Sequence, residues 1–145
     1  IRRHNGEINE TAGDGLMIIF RDNEPAKHAC AAASAAIGIH YKTQKVNAEL
    51  RGKFEPTVVN MGINSGRVLL GPTRFEGISG ARWTFTAAGL TTVLASRIAG
   101  LATDGKILVG PETASRLKGE FLMEPFGERS MKNIPKPVQV YQLVA

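Results

Sequence analysis

The stretch that decides the fold is Glu7-Ile8-Asn9-Glu10-Thr11-Ala12-Gly13-Asp14-Gly15-Leu16-Met17-Ile18-Ile19-Phe20. Segments on both sides of Gly13-Asp14-Gly15 have strand character, and this pattern predicts two strands joined by a tight turn. The flanking glycines leave the carboxylate of Asp14 uncovered, so that a cation or a phosphate-bound metal can reach it. Two interpretations of Asp14 stay open: a residue chosen for its turn chemistry, or half of a metal site that needs a second carboxylate.

The composition is that of an ordinary globular protein, with 43% hydrophobic and 21% charged residues. We expect a single domain over residues 1–145, which is long enough to bury its own core. The apolar runs are too short to cross a bilayer, so we expect no membrane segment in this chain. A single cysteine, Cys30, excludes an internal disulfide and is compatible with the cytoplasmic location that we expect. Because the chain begins with Ile1 rather than Met, we expect it to be part of a longer protein.

The net charge of +5 and the isoelectric point near 9.7 raise the question of nucleic-acid binding. The basic residues are spread along the chain, and aromatic residues make up only 6% of it. No basic stripe interleaved with aromatic residues is present. The charge therefore favours an anionic small ligand or simple solubility, and we expect no nucleic-acid partner.

The rest of the chain alternates between predicted helices and strands. Asn23 as a cap and Pro25 in the first turn predict a helix from about Glu24 that ends before Gly52. A Gly-rich segment, residues 72–83, is predicted to be a loop or an irregular hairpin. Strands Thr57–Ile63 and Arg67–Leu70 are predicted on either side of a turn at Asn64-Ser65-Gly66. The further predicted elements are a helix Gly89–Ala99, a strand Lys106–Val109, a short helix at Pro111, and strands Phe121–Glu124 and Val138–Val144. This order predicts an α+β fold with a ferredoxin-like βαββαβ core, a sheet covered by helices, and extra C-terminal strands.

Several segments together, in order and spacing, resemble one family, the class III nucleotide cyclases. They are Glu10-Thr11-Ala12-Gly13-Asp14-Gly15, Gly62-Ile63-Asn64-Ser65-Gly66-Arg67-Val68, Gly89-Leu90-Thr91-Thr92-Val93-Leu94-Ala95-Ser96-Arg97, Gly105-Lys106-Ile107-Leu108-Val109, Met131-Lys132-Asn133 and Pro137-Val138-Gln139-Val140-Tyr141. The resemblance implies a phosphorus–oxygen lyase of signal transduction. Such an enzyme converts ATP or GTP into a 3′,5′-cyclic nucleotide and pyrophosphate.

The resemblance also implies the parts of the catalytic site. The reaction uses two divalent cations, Mg²⁺ or Mn²⁺, held by two aspartates on adjacent strands. Asp14 matches the second aspartate, whereas the first lies upstream of residue 1 in relatives, so we expect the chain by itself to be inactive.

The resemblance also implies two cations that contact the phosphates. Arg97 matches the catalytic arginine, whose forked donors suit a phosphoryl transition state. Lys132 matches a lysine that contacts the terminal phosphates, although Asn133 follows it where relatives usually have glycine. The alternative for Arg97 and Lys132 is an ordinary surface cation.

Two further positions match residues that read the purine base in the family. A carboxylate at Glu10 resembles the guanylate-forming pattern, because it accepts hydrogen bonds from the ring N–H and the amine of guanine. Its alternative is an exposed strand carboxylate without a ligand. Thr86 occupies the partner position, and its hydroxyl suits either purine. At the ribose-orienting position Val93 replaces the usual asparagine, and Leu90 replaces a usual polar residue, so both departures weaken the case for turnover.

The resemblance implies partners as well. Relatives work as head-to-tail dimers, and we expect a homodimer, or pairing with a related cyclase domain, around a purine nucleoside triphosphate. The leading function is that of a nucleotide cyclase catalytic domain. The alternative is a catalytically degenerate cyclase-homology domain that acts as a nucleotide-sensing or dimerising regulatory module, which Val93 and Leu90 favour.

Overall fold

The computed structural model describes residues 1–78 and 80–145, without the side chains of residues 12, 73, 75 and 82–85. A single 3-10 turn, Arg2–His4, precedes the first strand. The elements that follow are β1 (Gly6–Ala12), β2 (Gly15–Phe20), α1 (Pro25–Glu49), β3 (Met61–Ile63), β4 (Leu69–Gly77), β5 (Gly80–Ala88), α2 (Leu90–Ala99), β6 (Ile107–Val109), α3 (Pro111–Leu117), β7 (Met123–Arg129) and β8 (Val138–Leu143). The predicted α+β class is confirmed.

Helix α1 packs through alanines, as its sequence indicates. Its buried residues are all alanine, and they fall at helical spacing along one side: Ala29, Ala32, Ala33, Ala35 and Ala36. Small side chains let the helix axis approach the layer beneath it closely. Pro25 is the first helical residue as predicted, but Asn23 is not the cap. Glu24 takes that place, and its backbone N–H donates to Oδ1 of Asp22 at 2.9 Å.

The core lies on both sides of β6, whose three residues are all buried. The strand sits inside a four-stranded sheet of order β3-β6-β8-β7, parallel to β3 and antiparallel to β8. Ile107 and Val109 pack with α1 and α3 in one cluster, while Leu108 packs with Ile98 of α2 in the other. Since successive side chains of a strand point to opposite faces, this short strand joins the two halves of the core.

The strands predicted around Asn64-Ser65-Gly66 differ from the prediction in length and in pairing. The first is limited to Met61–Ile63, whereas the second begins at Leu69 rather than at Arg67 and continues to Gly77. They do not pair with each other, because β3 pairs with β6 and β4 pairs with β5. The backbone at Thr57 is bound instead by the side-chain amide of Asn47, which accepts from Thr57 N at 2.9 Å and donates to Thr57 O at 2.8 Å. Those two bonds satisfy the N–H and C=O groups of Thr57, which in a strand would bond to a neighbouring strand.

Two antiparallel hairpins complete the fold. β1 pairs with β2, and β4 pairs with β5 without interruption from Leu69–Ala88 to Gly77–Gly80. Of the two alternatives for residues 72–83, the hairpin is therefore correct, although its register is regular rather than irregular. In the described part of the chain, each helix is too short or too polar to span a membrane.

Candidate active site

Asp14 lies at the tip of the β1–β2 hairpin. Ala12 is paired with Gly15, so Gly13 and Asp14 are the two turn residues. Positive φ occurs at the first of them only, with 62° at Gly13, which is the pattern of a type II′ hairpin turn. Asp14 is exposed, and none of the ion pairs between described side chains involves it. The local sequence thus holds an exposed carboxylate at the tip of the hairpin.

Glu10 lies on the same hairpin, next to an irregularity in the pairing. The register shifts between Ile8 and Glu10, so that Asn9 is an extra residue in β1 and Glu10 lies opposite Met17. The side chain of Glu10 is half-buried, and none of the ion pairs among the described residues includes it. A half-buried carboxylate retains its capacity to accept hydrogen bonds from a ligand.

Thr86 lies on β5, opposite Gly71, and is half-buried. Strands β1 and β5 contact each other, so the strand that carries Glu10 and the strand that carries Thr86 are neighbours.

Arg97 lies in the last turn of α2 and is exposed, whereas the next residue, Ile98, is completely buried. The buried side chain fixes the helix to the core and leaves the guanidinium outside. On the same helix, Val93 precedes Arg97 by four residues and Leu90 precedes Val93 by three. All three therefore lie on one helix face, and each is exposed.

The position of α2 depends on a close approach to β3. A Cβ atom at Gly62 would lie 2.2 Å from the backbone nitrogen of Ala99, which is closer than atoms can pack. Glycine at this position therefore lets the end of α2 rest directly on the strand. Any larger residue would displace the turn that carries Arg97.

Polar side chains in the β3–β4 connection fix the other end of α2. Asn64 Nδ2 donates to the carbonyl oxygen of Thr91 at 3.1 Å, and Thr91 Oγ1 donates to the carbonyl oxygen of Arg67 at 2.8 Å. The same connection is also bound to α3, whose fully buried Thr113 donates from Oγ1 to Ser65 Oγ at 3.0 Å. The sequence analysis treated Asn64 and Ser65 as turn residues and missed these contacts. The signal was present, because both belong to the segment Gly62–Val68 that carries the family resemblance.

Lys132 lies in the turn between β7 and β8 and is exposed. The following residue, Asn133, has a φ of 65°, the left-handed conformation that glycine usually supplies. Asparagine tolerates this conformation better than other non-glycine residues. The departure from the usual glycine thus preserves the shape of the turn that presents Lys132.

The candidate residues occupy separate elements: the β1–β2 hairpin, β5, α2 and the β7–β8 turn. Within the described residues, no hydrogen bond or ion pair joins Asp14, Arg97 and Lys132. In the same part of the chain, no three His, Cys, Asp or Glu side chains are close enough to share a metal ion. Asp14 is thus a single carboxylate that belongs to no such group in the described residues.

The comparisons with known proteins identify the family of the fold. The family model described as the adenylate and guanylate cyclase catalytic domain matches residues 1–145. The crystal structure of the adenylyl cyclase CyaB from P. aeruginosa is 31% identical, with a TM-score of 0.85 over 99% of this chain and 74% of that one. The guanylate cyclase domain of RhGC from Catenaria anguillulae, solved in complex with GTP, is 25% identical, with a TM-score of 0.76 over 99% of this chain and 75% of that one.

A search of curated protein sequences finds no match. The family model nevertheless spans the whole chain, and the similarity to CyaB extends over nearly all of it. The chain belongs to the adenylate and guanylate cyclase catalytic domain family.

Proposed function

We propose that the chain is a nucleotide cyclase catalytic domain that converts a purine nucleoside triphosphate into a 3′,5′-cyclic nucleotide and pyrophosphate. In this reaction the ribose 3′-oxygen loses its proton and forms a bond to the α-phosphorus, while the bond from that phosphorus to the bridging oxygen of pyrophosphate breaks. The observation that carries the proposal is the placement of Arg97: an exposed guanidinium on a helix that is fixed to the core at both ends.

Arg97 binds the α-phosphate and stabilises the charge that develops on its oxygens in the transition state. Lys132 binds the terminal phosphates, where an ammonium group acts as a point charge. Glu10 and Thr86 orient the base from their neighbouring strands. Since Glu10 only accepts hydrogen bonds when ionised, it favours the ring N–H and the amine of guanine over the unprotonated ring nitrogen of adenine.

The exposed carboxylate of Asp14 fits a hard divalent cation, because Mg²⁺ and Mn²⁺ prefer oxygen ligands. When bound, such ions lower the pKa of the 3′-hydroxyl and neutralise charge on the leaving pyrophosphate. Asp14 is the residue of this chain that would hold them. The proposed enzyme is a head-to-tail dimer. In such a dimer, Asp14 of one copy and Arg97 of the other copy belong to one composite site.

The direct experiment measures cyclic nucleotide formation by the full-length protein with manganese and either ATP or GTP. We expect activity that Arg97→Ala and Asp14→Ala each reduce by at least about a hundred-fold, a loss typical of a missing transition-state contact. Arg51→Ala, which removes an exposed arginine just after α1, is the matched control and should leave the rate unchanged. Activity that survives both site variants would show that the assigned residues are wrong.

A second candidate function rests on Val93 and Leu90. Both are exposed apolar residues on the face that carries Arg97, where a ribose-orienting polar group is expected. A domain with this face binds nucleotide without turning it over, and it acts as a nucleotide-sensing or dimerising module. Nucleotide binding measured by calorimetry, together with no detectable cyclic product in the full-length protein, would establish this function and exclude the first.

A further inference from the structure

The two candidate phosphate-binding cations, Arg97 and Lys132, are anchored in the same part of the core. The cluster that holds α2 consists of four buried residues: Ile98, Ala102, Leu108 and Val140. Half-buried side chains from two separate elements pack against it, namely Leu94 from α2 and Met131 from the turn between β7 and β8. Arg97 directly precedes Ile98, and Lys132 directly follows Met131. Each cation is therefore the chain neighbour of a residue that packs in or against this cluster.

The turn that presents Lys132 begins at Met131. The backbone N–H of Ile134 donates to the carbonyl oxygen of Met131 at 3.1 Å, which closes a β-turn with Lys132 and Asn133 at its centre. The positive φ of 65° at Asn133 is the pattern of a type II turn. Lys132 thus occupies the second position of a turn whose first residue is held to the core by its side chain.

The end of β7 that leads into this turn is fixed against the same cluster. Phe126 packs against the cluster, and the guanidinium carbon of Arg129 lies 4.6 Å from the centre of the Phe126 ring. Nη2 of Arg129 also donates to the carbonyl oxygen of Phe126 at 2.9 Å. Arg129 is therefore turned back on its own strand, where the aromatic ring attracts its charge. Lys132, in contrast, is exposed, so it is the cation that this end of the sheet presents to a ligand.

We propose that Met131 is a positioning residue for the triphosphate. Its side chain fixes the turn of Lys132 to the apolar cluster that also fixes α2, so Lys132 and Arg97 keep a constant separation. A ligand binds more tightly to groups that are already in place, because less conformational freedom is lost on binding. The inference rests on the proposed function, in which Arg97 binds the α-phosphate and Lys132 binds the terminal phosphates. Met131 acts only through Lys132.

The test is a double-mutant cycle on the full-length protein, with binding measured by calorimetry in the presence of Mn²⁺. The probes are the 3′-deoxy forms of GTP and ATP, which lack the attacking hydroxyl and so stay intact. Lys132→Ala should weaken binding of the tighter probe by about ten-fold, the typical effect of a lost hydrogen bond to a charged group. Met131→Ala should weaken it by about five-fold, because Lys132 must then be ordered during binding. In the Lys132→Ala background, Met131→Ala should have no further effect.

Three controls separate positioning from general packing. Met131→Leu keeps an apolar side chain of similar volume and should bind the probes like the unmodified protein. Met123→Ala removes a half-buried methionine at the start of β7 that packs against the other core cluster, so it should lower stability without changing affinity. The nucleoside 5′-monophosphates lack the terminal phosphates, and Met131→Ala should leave their binding unchanged.

Circular dichroism of every variant identifies loss of the fold. If Met131→Ala unfolds, Met131→Val, which keeps more of the apolar side chain, takes its place in the cycle. The inference is overturned if Met131→Ala binds the probes like the unmodified protein, or if it weakens binding equally with and without Lys132. Unchanged binding in Lys132→Ala would contradict the phosphate contact of the proposed function and overturn the inference with it. The expected cycle in a protein that makes no cyclic nucleotide from GTP or ATP would contradict the proposed catalysis alone and support the role of Met131.

Discussion

Helix α2 and the β1–β2 hairpin carry the two most important candidate residues, yet the protein holds them in opposite ways. α2 is bound to the core through the buried Ile98, through the close approach at Gly62, and through the hydrogen bonds of Asn64. The hairpin forms its own two-stranded sheet, and its tip at Asp14 is exposed. Arg97 is therefore positioned by distant parts of the chain, whereas Asp14 is positioned by its own turn.

This difference implies two kinds of sensitivity to mutation. Changes that disturb α2 should act through packing, and they should reduce stability and activity together. Changes in the hairpin should act through backbone conformation or through ligand contacts, and they should affect the body of the protein little. The following predictions test that division.

Gly62→Ala should have the largest effect. The new methyl group overlaps the backbone at Ala99, so α2 must move, at a cost of about 1–3 kcal/mol of unfolding free energy. Cyclase activity should fall with it, because Arg97 shifts. Chemical denaturation measures the stability change.

The matched control for that variant is Gly38→Ala. A Cβ atom at Gly38, inside α1, would meet nothing within 4 Å. Because alanine favours helices, this variant should gain about 0.5–1 kcal/mol. Equal effects at the two glycines would contradict the steric account of how α2 is held.

Glu10→Lys is the corresponding test of ligand contact in the hairpin. Lysine donates hydrogen bonds where glutamate accepts them, so the preference should move from GTP towards ATP by about ten-fold or more. The measurement is the ratio of kcat/KM for the two nucleotides, or of their binding constants if turnover is absent. Glu124→Lys, an exposed carboxylate on β7, should leave the ratio unchanged. An unaltered ratio in Glu10→Lys would remove Glu10 from base recognition.

The sequence predicted the hairpin well because its determinants are local. Glycine and aspartate at the two turn positions specify the turn, and the pairing of the strands follows from it. The β3 region was predicted less well. The run Thr57-Val58-Val59 is typical of a strand, but the amide of Asn47 binds the backbone of Thr57, and no local pattern reveals that contact.

Prediction of the candidate site from the sequence likewise succeeded only where the determinants are local. The motifs placed Asp14 on a turn and Arg97 on a helix, and the structure has them there. The support of α2 and the link from the β3–β4 connection to α3 were not predicted, because Asn64 reaches Thr91 of α2 over 27 residues and Ser65 reaches Thr113 of α3 over 48. Contacts over such distances depend on the tertiary fold, which a pattern of residue types does not specify. The functional roles of these residues remain predictions.

Gly13→Ala should have a smaller effect than Gly62→Ala, and for a different reason. No atom lies within 4 Å of a Cβ placed there, so the cost is the strain of a φ near 62°, about 1–2 kcal/mol in the turn. Gly13→Asn should cost about as much, because the first position of a type II′ turn lies outside the left-handed helical region that asparagine tolerates. Thermal denaturation measures the cost of both variants. If either variant melts at the temperature of the unmodified protein, then conformation does not explain the glycine.

The smallest expected effect concerns α1, which contacts both β2 and β3 and so connects the two regions. Nε2 of His28 lies 3.0 Å from an Nη atom of Arg116 on α3, which donates to the unprotonated ring. Burial first, and then the charge of Arg116, hold the pKa of His28 below its ordinary value of 6.5, while Asp22 acts in the opposite direction. The unfolded chain therefore takes up a proton more readily than the folded one. The stability that the neutral ring of His28 contributes is fully present above pH 6.5 and is lost as the pH falls through the lower folded pKa.

His28→Gln removes the titrating group, so the melting temperature of this variant should fall less than that of the unmodified protein between pH 7 and pH 5. Parallel melting curves for the two proteins would show that the contact between α1 and α3 does not depend on the neutral imidazole.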